Sequence, residues 1–422
     1  MKLLFASFLL GSLGLSGSVA ADWPQWRGPT RDGLLPATAP FPDRLQGDAL
    51  QRRWRVELHP SYSGPIVTAD RVFTTETKDK KFEAALAFDR ATGRQLWRQE
   101  WEGALSVPFF AKANGDWIRA TPAWDGALLY VAGMRDVLLA LDGSTGAVKW
   151  RRDFVEQFKT PLPAFGFVSS PLVDGDALYV QAAASVIRLK KDDGAVVWRA
   201  LEDEGGMWGS VFSSPAIATL AGRRQLLVQT RTTLAGLDLD SGQVLWRQEV
   251  EAFRGMNILT PVVFNDHVFT STYGGKTIAF HVTREGDQWR VAPAWSLKQQ
   301  GYMSTPVVIG GHAYHHLRSQ RLTCLDLAAG VERWTSAQSF GKYMSLVARG
   351  DRILALDQRG ILFLIRANPE QLEVLDQRKL ESADSWAHLA VSGRELFVRE
   401  LNALAAYAWG EPEAKPVAVT AP

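Results

Sequence analysis

One spacing recurs along this chain and limits what it can fold into: an apolar pair, then Asp-x-x-x-Gly-x-x-x-Trp. It reads Asp89, Gly93, Trp97; Asp142, Gly146, Trp150; Asp238, Gly242, Trp246; and Asp326, Gly330, Trp334. A degenerate copy has Lys190 in the Asp place, then Gly194 and Trp198. A weaker one keeps the register as His281, Glu285 and Trp289, and the weakest as Arg366, Glu370 and Val374. Trp54 precedes them all with no Asp–Gly half in front of it. In each unit a short alternating run such as Ala85-Leu86-Ala87-Phe88 ends at an Asp whose carboxylate can accept backbone N–H groups just ahead. The Gly supplies the positive φ that reverses the chain, and the Trp stands on the returning strand. A hairpin cannot bury an indole by itself. If the next repeat covers it, roughly 200 Å² at ~25 cal/mol/Å² sets an upper bound of ~5 kcal/mol per Trp. Such units need neighbours and come in arrays.

A second motif interleaves with the first. Ser/Thr-Pro openings at Ser63-Gly64-Pro65, Thr121-Pro122, Ser170-Pro171, Ser214-Pro215, Thr260-Pro261 and Thr305-Pro306 each lead into a further strand. Pro-less equivalents stand at Ser345-Leu346-Val347 and His388-Leu389-Ala390, which makes eight. Each unit then carries four strands in about 40–55 residues, the size of a propeller blade. The last unit lacks a Trp strand, whereas the Trp54 segment has one and lacks the other three. Pairing these two half-units removes both open edges. The expected fold is therefore all-β: an eight-bladed propeller of four-stranded antiparallel blades, closed by the N-terminal Trp54 strand.

Composition narrows the setting. Lys+Arg 47 against Asp+Glu 45 gives a formal charge of +2, with no electrostatic case for nucleic acid or an anionic membrane surface. One Cys among 422 residues allows no intramolecular disulfide and no four-Cys zinc site. Residues 1–21 read as a cleavable signal peptide: Lys2, an apolar stretch from Leu3 to Leu15, then small residues ending at Ala20 and Ala21. That stretch is too short to span a bilayer. No Cys stands near the cleavage point, so no lipid anchor is expected. Residues 22–48 are expected to form an arm wrapped on the outside of the propeller (49–410) with Trp23 and Trp26 docked, and residues 411–422 a flexible tail. The expected setting is the periplasm or the exterior, as a monomer with no membrane span.

The Asp-x-x-x-Gly-x-x-x-Trp set resembles the tryptophan-docking repeat of pyrroloquinoline quinone (PQQ)-like propellers, over residues 49–409. The stretch Asp22-Trp23-Pro24-Gln25-Trp26-Arg27-Gly28-Pro29 is similar to an opening common in exported bacterial members. That superfamily includes quinoprotein dehydrogenases and the outer-membrane assembly lipoprotein BamB. The dehydrogenase likeness would imply a quinone in the funnel, a bound Ca²⁺ and a carboxylate base. The vicinal disulfide that covers the quinone in such enzymes cannot form here, since Cys324 is alone, and no Glu, Asn and Asp trio falls in the repeat register. The BamB likeness implies a non-catalytic scaffold without cofactor that holds a protein or peptide of the cell envelope, and this is the preferred reading. A PQQ/Ca-dependent dehydrogenase acting on an alcohol or sugar is the alternative.

Candidate binding residues follow from position. Three residues before each opening's Pro, or its equivalent, stand Tyr62, Arg119, Val168, Phe212, Ile258, Met303, Tyr343 and Trp386. The connections leading into the openings are long and aromatic, one running from Trp101 through Phe109, Phe110 and Trp117 and another holding Phe154, Phe158, Phe165 and Phe167. The eight side chains either ring the channel mouth as a surface for an extended peptide or small apolar ligand, or pack together as a plug. His312, His315 and His316 share one strand but lack a carboxylate beside them, which favours strand packing over a metal.

Overall fold

The computed structural model describes residues 22–203, 209–380 and 383–410; the leader (1–21) and tail (411–422) readings lie outside the described residues. The described chain is a ring of eight four-stranded antiparallel sheets, a β-propeller, with one five-residue α-helix at Phe154–Phe158. Blade 1 is Ile66–Val67, Arg71–Lys78, Phe82–Asp89 and Gln95–Glu102; blades 2 to 7 repeat the plan in chain order. Blade 8 takes Ala390–Ser392, Glu395–Glu400 and Ala403–Trp409 from the C-terminal end and Leu50–Glu57 from the N-terminal end. The closing pair runs antiparallel from Leu50↔Trp409 to Glu57↔Ala403, so neither terminal half-unit is left with an unpaired edge.

The repeat works as a lock between neighbours. Asp142 Oδ1 accepts the N–H groups of Ser144 (3.0 Å) and Thr145 (3.0 Å), and Asp326 Oδ1 those of Ala328 (3.1 Å) and Ala329 (2.9 Å). The turn so held exposes a carbonyl to the previous blade's indole. Trp54 donates to Arg90 O (2.8 Å), Trp97 to Gly143 O (2.9 Å), Trp150 to Lys191 O (2.7 Å) and Trp198 to Leu239 O (3.2 Å). Trp334 donates to Asn368 O (2.9 Å). Glycine is required for two reasons, well seen at Gly146. Its φ is +76°, and a Cβ there would lie 2.7 Å from the Trp97 ring. Gly93, Gly194 and Gly242 face Trp54, Trp150 and Trp198 in the same way.

A register shift sits beside every docking position, as between Ala87 and Phe88 opposite Trp97, or Ala140 and Leu141 opposite Trp150. Such a bulge re-aims one side chain out of the pleat. It also corrects one assignment: Trp289 is not a docking residue. Blade 5 ends in a long hairpin, Thr277–Glu285 with Gln288–Leu297, and its shift lies between Ala279 and Phe280, opposite Trp295. Trp295 donates to Leu327 O (2.9 Å), and Gly330 packs on it. Trp289 sits near the hairpin end under the Arg284 guanidinium. Counting from His281 failed because the hairpin is longer than the four-residue Asp–Gly turn.

Two further departures share that cause. Blade 5 offers no Asp–Gly turn, so the Trp246 indole turns to Gln225 Oε1 of its own blade (2.6 Å). Blade 8 has a chain break where its turn would be. Blade 7 accordingly carries Asp376, not Val374, in the docking register, and that carboxylate accepts Leu45 N–H (2.7 Å) from the incoming N-terminal segment.

The N-terminal segment takes a different course from the expected outer wrap. Trp23 bridges Val67 of blade 1, Pro24 O accepts Trp124 N–H of blade 2 (2.7 Å), and Leu34 bridges Ala348 of blade 7. Residues 23–35 thus cross the central channel, and only the following stretch runs outward over blade 7, where Arg349 Nη1 donates to Ala37 O (3.3 Å) and Arg378 Nη1 to Leu45 O (2.9 Å). This segment places its side chains between the inner strands of facing blades, Arg31 on blade 3 and Arg27 on blade 6.

Candidate functional site

The hydroxyls of six openings (Thr121, Ser170, Ser214, Thr260, Thr305 and Ser345) have a structural task that spacing alone did not reveal. The hydroxyls form a collar around the channel. Gly64 N–H donates to Thr121 Oγ1 (2.9 Å), Thr121 N–H to Ser170 Oγ (3.0 Å), Ser170 N–H to Ser214 Oγ (2.9 Å) and Ser214 N–H to Thr260 Oγ1 (3.0 Å). Thr260 N–H continues to Thr305 Oγ1 (3.2 Å). Beyond blade 6 the sense reverses, with Met344 N–H donating to Ser304 Oγ (3.1 Å) and Leu389 N–H to Ser345 Oγ (3.4 Å). The circle shuts at Gly64, where a Cβ would lie 2.7 Å from His388 O. Gly64→Ala should therefore push blades 1 and 8 apart and cost about 1–3 kcal/mol. Urea denaturation checks it; an unchanged midpoint would remove the collar from any structural account.

Above the collar the structure brings Tyr62, Arg119, Val168, Phe212, Ile258, Met303, Tyr343 and Trp386 to one cavity of about 180 Å³. Seven are half-buried and Tyr343 is buried in the wall. Trp386 stacks on Tyr343 (6.4 Å between centroids, 15°) and leans on Tyr62 (5.8 Å); Phe165 packs on Phe212 (5.4 Å). The ring is thus partly self-packed and still leaves open volume.

The floor was not anticipated. Trp26 closes the funnel from below, edge-on to His388 (6.1 Å), with the guanidinium carbons of Arg27 and Arg31 at 5.6 and 5.5 Å from its ring. Arg27 donates to Thr305 O (2.7 Å), Pro306 O (2.7 Å) and Asp32 O, and Arg31 to Pro171 O (2.7 Å) and Ser170 O (3.1 Å). These two side chains therefore strap blade 3 to blade 6. Burial lowers Arg27 to about 10, and burial with Arg27 beside it lowers Arg31 to about 9, so both stay charged at neutral pH. Burial and the Arg27 charge hold His388 down at about 3, a neutral ring. The one local signal was the density of Trp, Arg and Gly in Trp23–Gly33.

This donor set does not fit PQQ with Ca²⁺. Among the described residues no carboxylate lines the cavity, and two guanidinium groups lie under its floor. Ca²⁺ needs several oxygen ligands with negative charge among them, and no group of three His, Cys, Asp or Glu placed to hold a metal occurs among the described residues. His315 and His316 are buried in blade 6 against Phe269 and Phe340, and burial lowers them to about 3 and about 4.

The same face carries an apolar patch. Phe109 (84% exposed), Phe110 (50%) and Phe253 (51%) are the exposed aromatics among the described residues. Phe109 and Phe110 begin the 3₁₀ turn Phe109–Asn114 between blades 1 and 2; Phe253 lies between blades 4 and 5. Arg254 links the two loops, its guanidinium 5.7 Å from the Phe110 ring and 5.0 Å from Phe253. Ala111 and Met256, next to them in sequence, line the funnel. The other exposed large hydrophobics, Val148, Val197 and Val331, stand singly on outer strands.

Residues 81–336 match the family described as outer membrane protein assembly factor BamB. The chain is 20% identical over 352 residues to that assembly factor from Yersinia pestis, covering 81% of each chain. It is 24% identical over 338 residues to the one from Moranella endobia, covering 76% of this chain and 78% of the other. Among solved structures, BamB from Moraxella catarrhalis superposes with a TM-score of 0.62 at 14% identity, over 85% of this chain and all of that one. A europium-containing methanol dehydrogenase gives 0.51 at 11% identity, over 92% of this chain and 98% of that one, a likeness of fold alone.

Proposed function

The chain belongs to the family of the outer membrane protein assembly factor BamB, and on that premise we propose that it is an exported, non-catalytic scaffold of the bacterial envelope. It grips a protein partner with the funnel-bearing face. The observation that carries this reading is the clustering of Phe109, Phe110 and Phe253 beside one funnel mouth, bridged by Arg254. A contiguous exposed aromatic patch marks an interaction surface, whereas single exposed valines are ordinary. Its chemistry suits an apolar segment presented by another protein. No helix among the described residues is long and apolar enough to cross a membrane.

The test is site-directed photocrosslinking in cells, with the crosslinker at Phe110 and, as control, at Val331. The expected outcome is an adduct with an outer-membrane assembly protein from Phe110 and none from Val331. Replacing Phe109, Phe110 and Phe253 together by Ser should cut capture at least tenfold and move the melting temperature little, because these rings are exposed. Equal crosslinking from both positions, or capture untouched by the triple change, would overturn the reading.

A further inference from the structure

The funnel combines features that partner docking on the rim does not use. Its walls are aromatic and aliphatic, and among the described residues no carboxylate lines it and the one charged lining side chain is Arg119. Arg119 is fixed in place: Nη2 donates to Gly115 O (2.6 Å), and the guanidinium lies 5.4 Å from the Tyr62 ring. Its Nε is buried and has no hydrogen-bond partner. Asp116, whose field reaches Arg119, has its Oδ1 occupied by Val107 N–H (3.0 Å). A guanidinium with few protein acceptors in a largely apolar funnel is under-solvated, and a carboxylate reaching its exposed edge would offset that cost. The volume of about 180 Å³ exceeds the ~150 Å³ at which an apolar cavity takes up benzene.

We propose that this funnel is a binding site for an aromatic monocarboxylate, with the ring held among Trp386, Phe212 and Met303 over the Trp26 floor and the carboxylate on Arg119. The planar guanidinium favours a carboxylate over a neutral amide of the same shape. The cations under the floor, Arg27 and Arg31, add to the same preference and are already bonded to collar carbonyls. Trp26 closes the lower end, so the ligand enters from the mouth.

The site stands apart from the partner surface and can fail without it. Titration calorimetry of the full chain with indole-3-acetate should give saturable one-to-one binding, and indole-3-acetamide should bind at least tenfold more weakly. Arg119→Gln should remove the preference for the acid while leaving amide binding in place, and Trp386→Ala should weaken both ligands. No saturation by the acid at millimolar concentration, or equal affinity for acid and amide in the unmodified protein, would overturn the proposal even if the Arg119 variant failed to fold. Acid binding lost while Phe110 still crosslinks its partner would leave the scaffold reading intact.

Discussion

Trp97→Ala is expected to lower the unfolding free energy by about 3–5 kcal/mol, the range for removing a buried Trp. The indole is 8% exposed, donates to Gly143 O (2.9 Å) and packs on Phe73 (5.7 Å between centroids). Its loss empties the seam between blades 1 and 2, and a closed ring cannot relax one seam without disturbing the rest. Urea denaturation would show a lower midpoint with an unchanged slope. Trp295→Ala should behave alike, since Trp295 makes the same contact with blade 6. Trp289→Ala should cost clearly less, about 1–2 kcal/mol, because its half-buried ring lies near the hairpin end and only borders the core shared by blades 4 and 5. Equal effects at positions 289 and 295 would show that the docking register of blade 5 is misplaced.

Glu83→Gln is expected to stabilise the protein at pH 8–9 and to change little at pH 4. Glu83 is fully buried between blades 1 and 2, accepting Trp101 Nε1–H (3.1 Å) and Met134 N–H (3.0 and 3.1 Å). Burial raises its carboxyl from 4.5 to about 8, against those two hydrogen bonds. Because the folded value lies above the unfolded one, the unfolded chain loses this proton first as pH rises. The folded state is therefore progressively disfavoured between pH 4.5 and 8, by an upper limit of roughly 5 kcal/mol at 1.36 kcal/mol per unit. Glutamine keeps an oxygen for both donors and never ionises. Asp136, raised by burial to about 6 while accepting Ala183 N–H (2.8 Å), has the same sign over a narrower window. The variant should thus retain a slope between pH 4 and 6 and lose it between 6 and 8. Parallel curves of melting temperature against pH for the two proteins would refute a protonated Glu83.

The candidate site was half legible. Position relative to the opening prolines was enough to assemble Tyr62, Arg119, Phe212, Met303, Tyr343 and Trp386, because each inner strand starts at the same height in every blade. The floor was not legible. Trp26, Arg27 and Arg31 precede the first repeat and belong to no register, and the blade carbonyls that the two arginines hold lie 139 to 279 residues away. Phe109 and Phe253 could be seen as aromatic loop residues, yet their meeting above one mouth depends on loops three blades apart in the ring.

What the chain order settled by itself is local. The Asp acceptor, the positive φ of the Gly and the bulge before the Trp are decided within about ten residues, and eight openings with two complementary half-units at the ends leave closure as the economical solution. Tertiary structure decided the rest: which indole of blade 5 reaches blade 6, why blade 7 has a carboxylate in that place, and what fills the axis. These outcomes rest on contacts between distant residues, whose energies depend on the geometry of the finished ring.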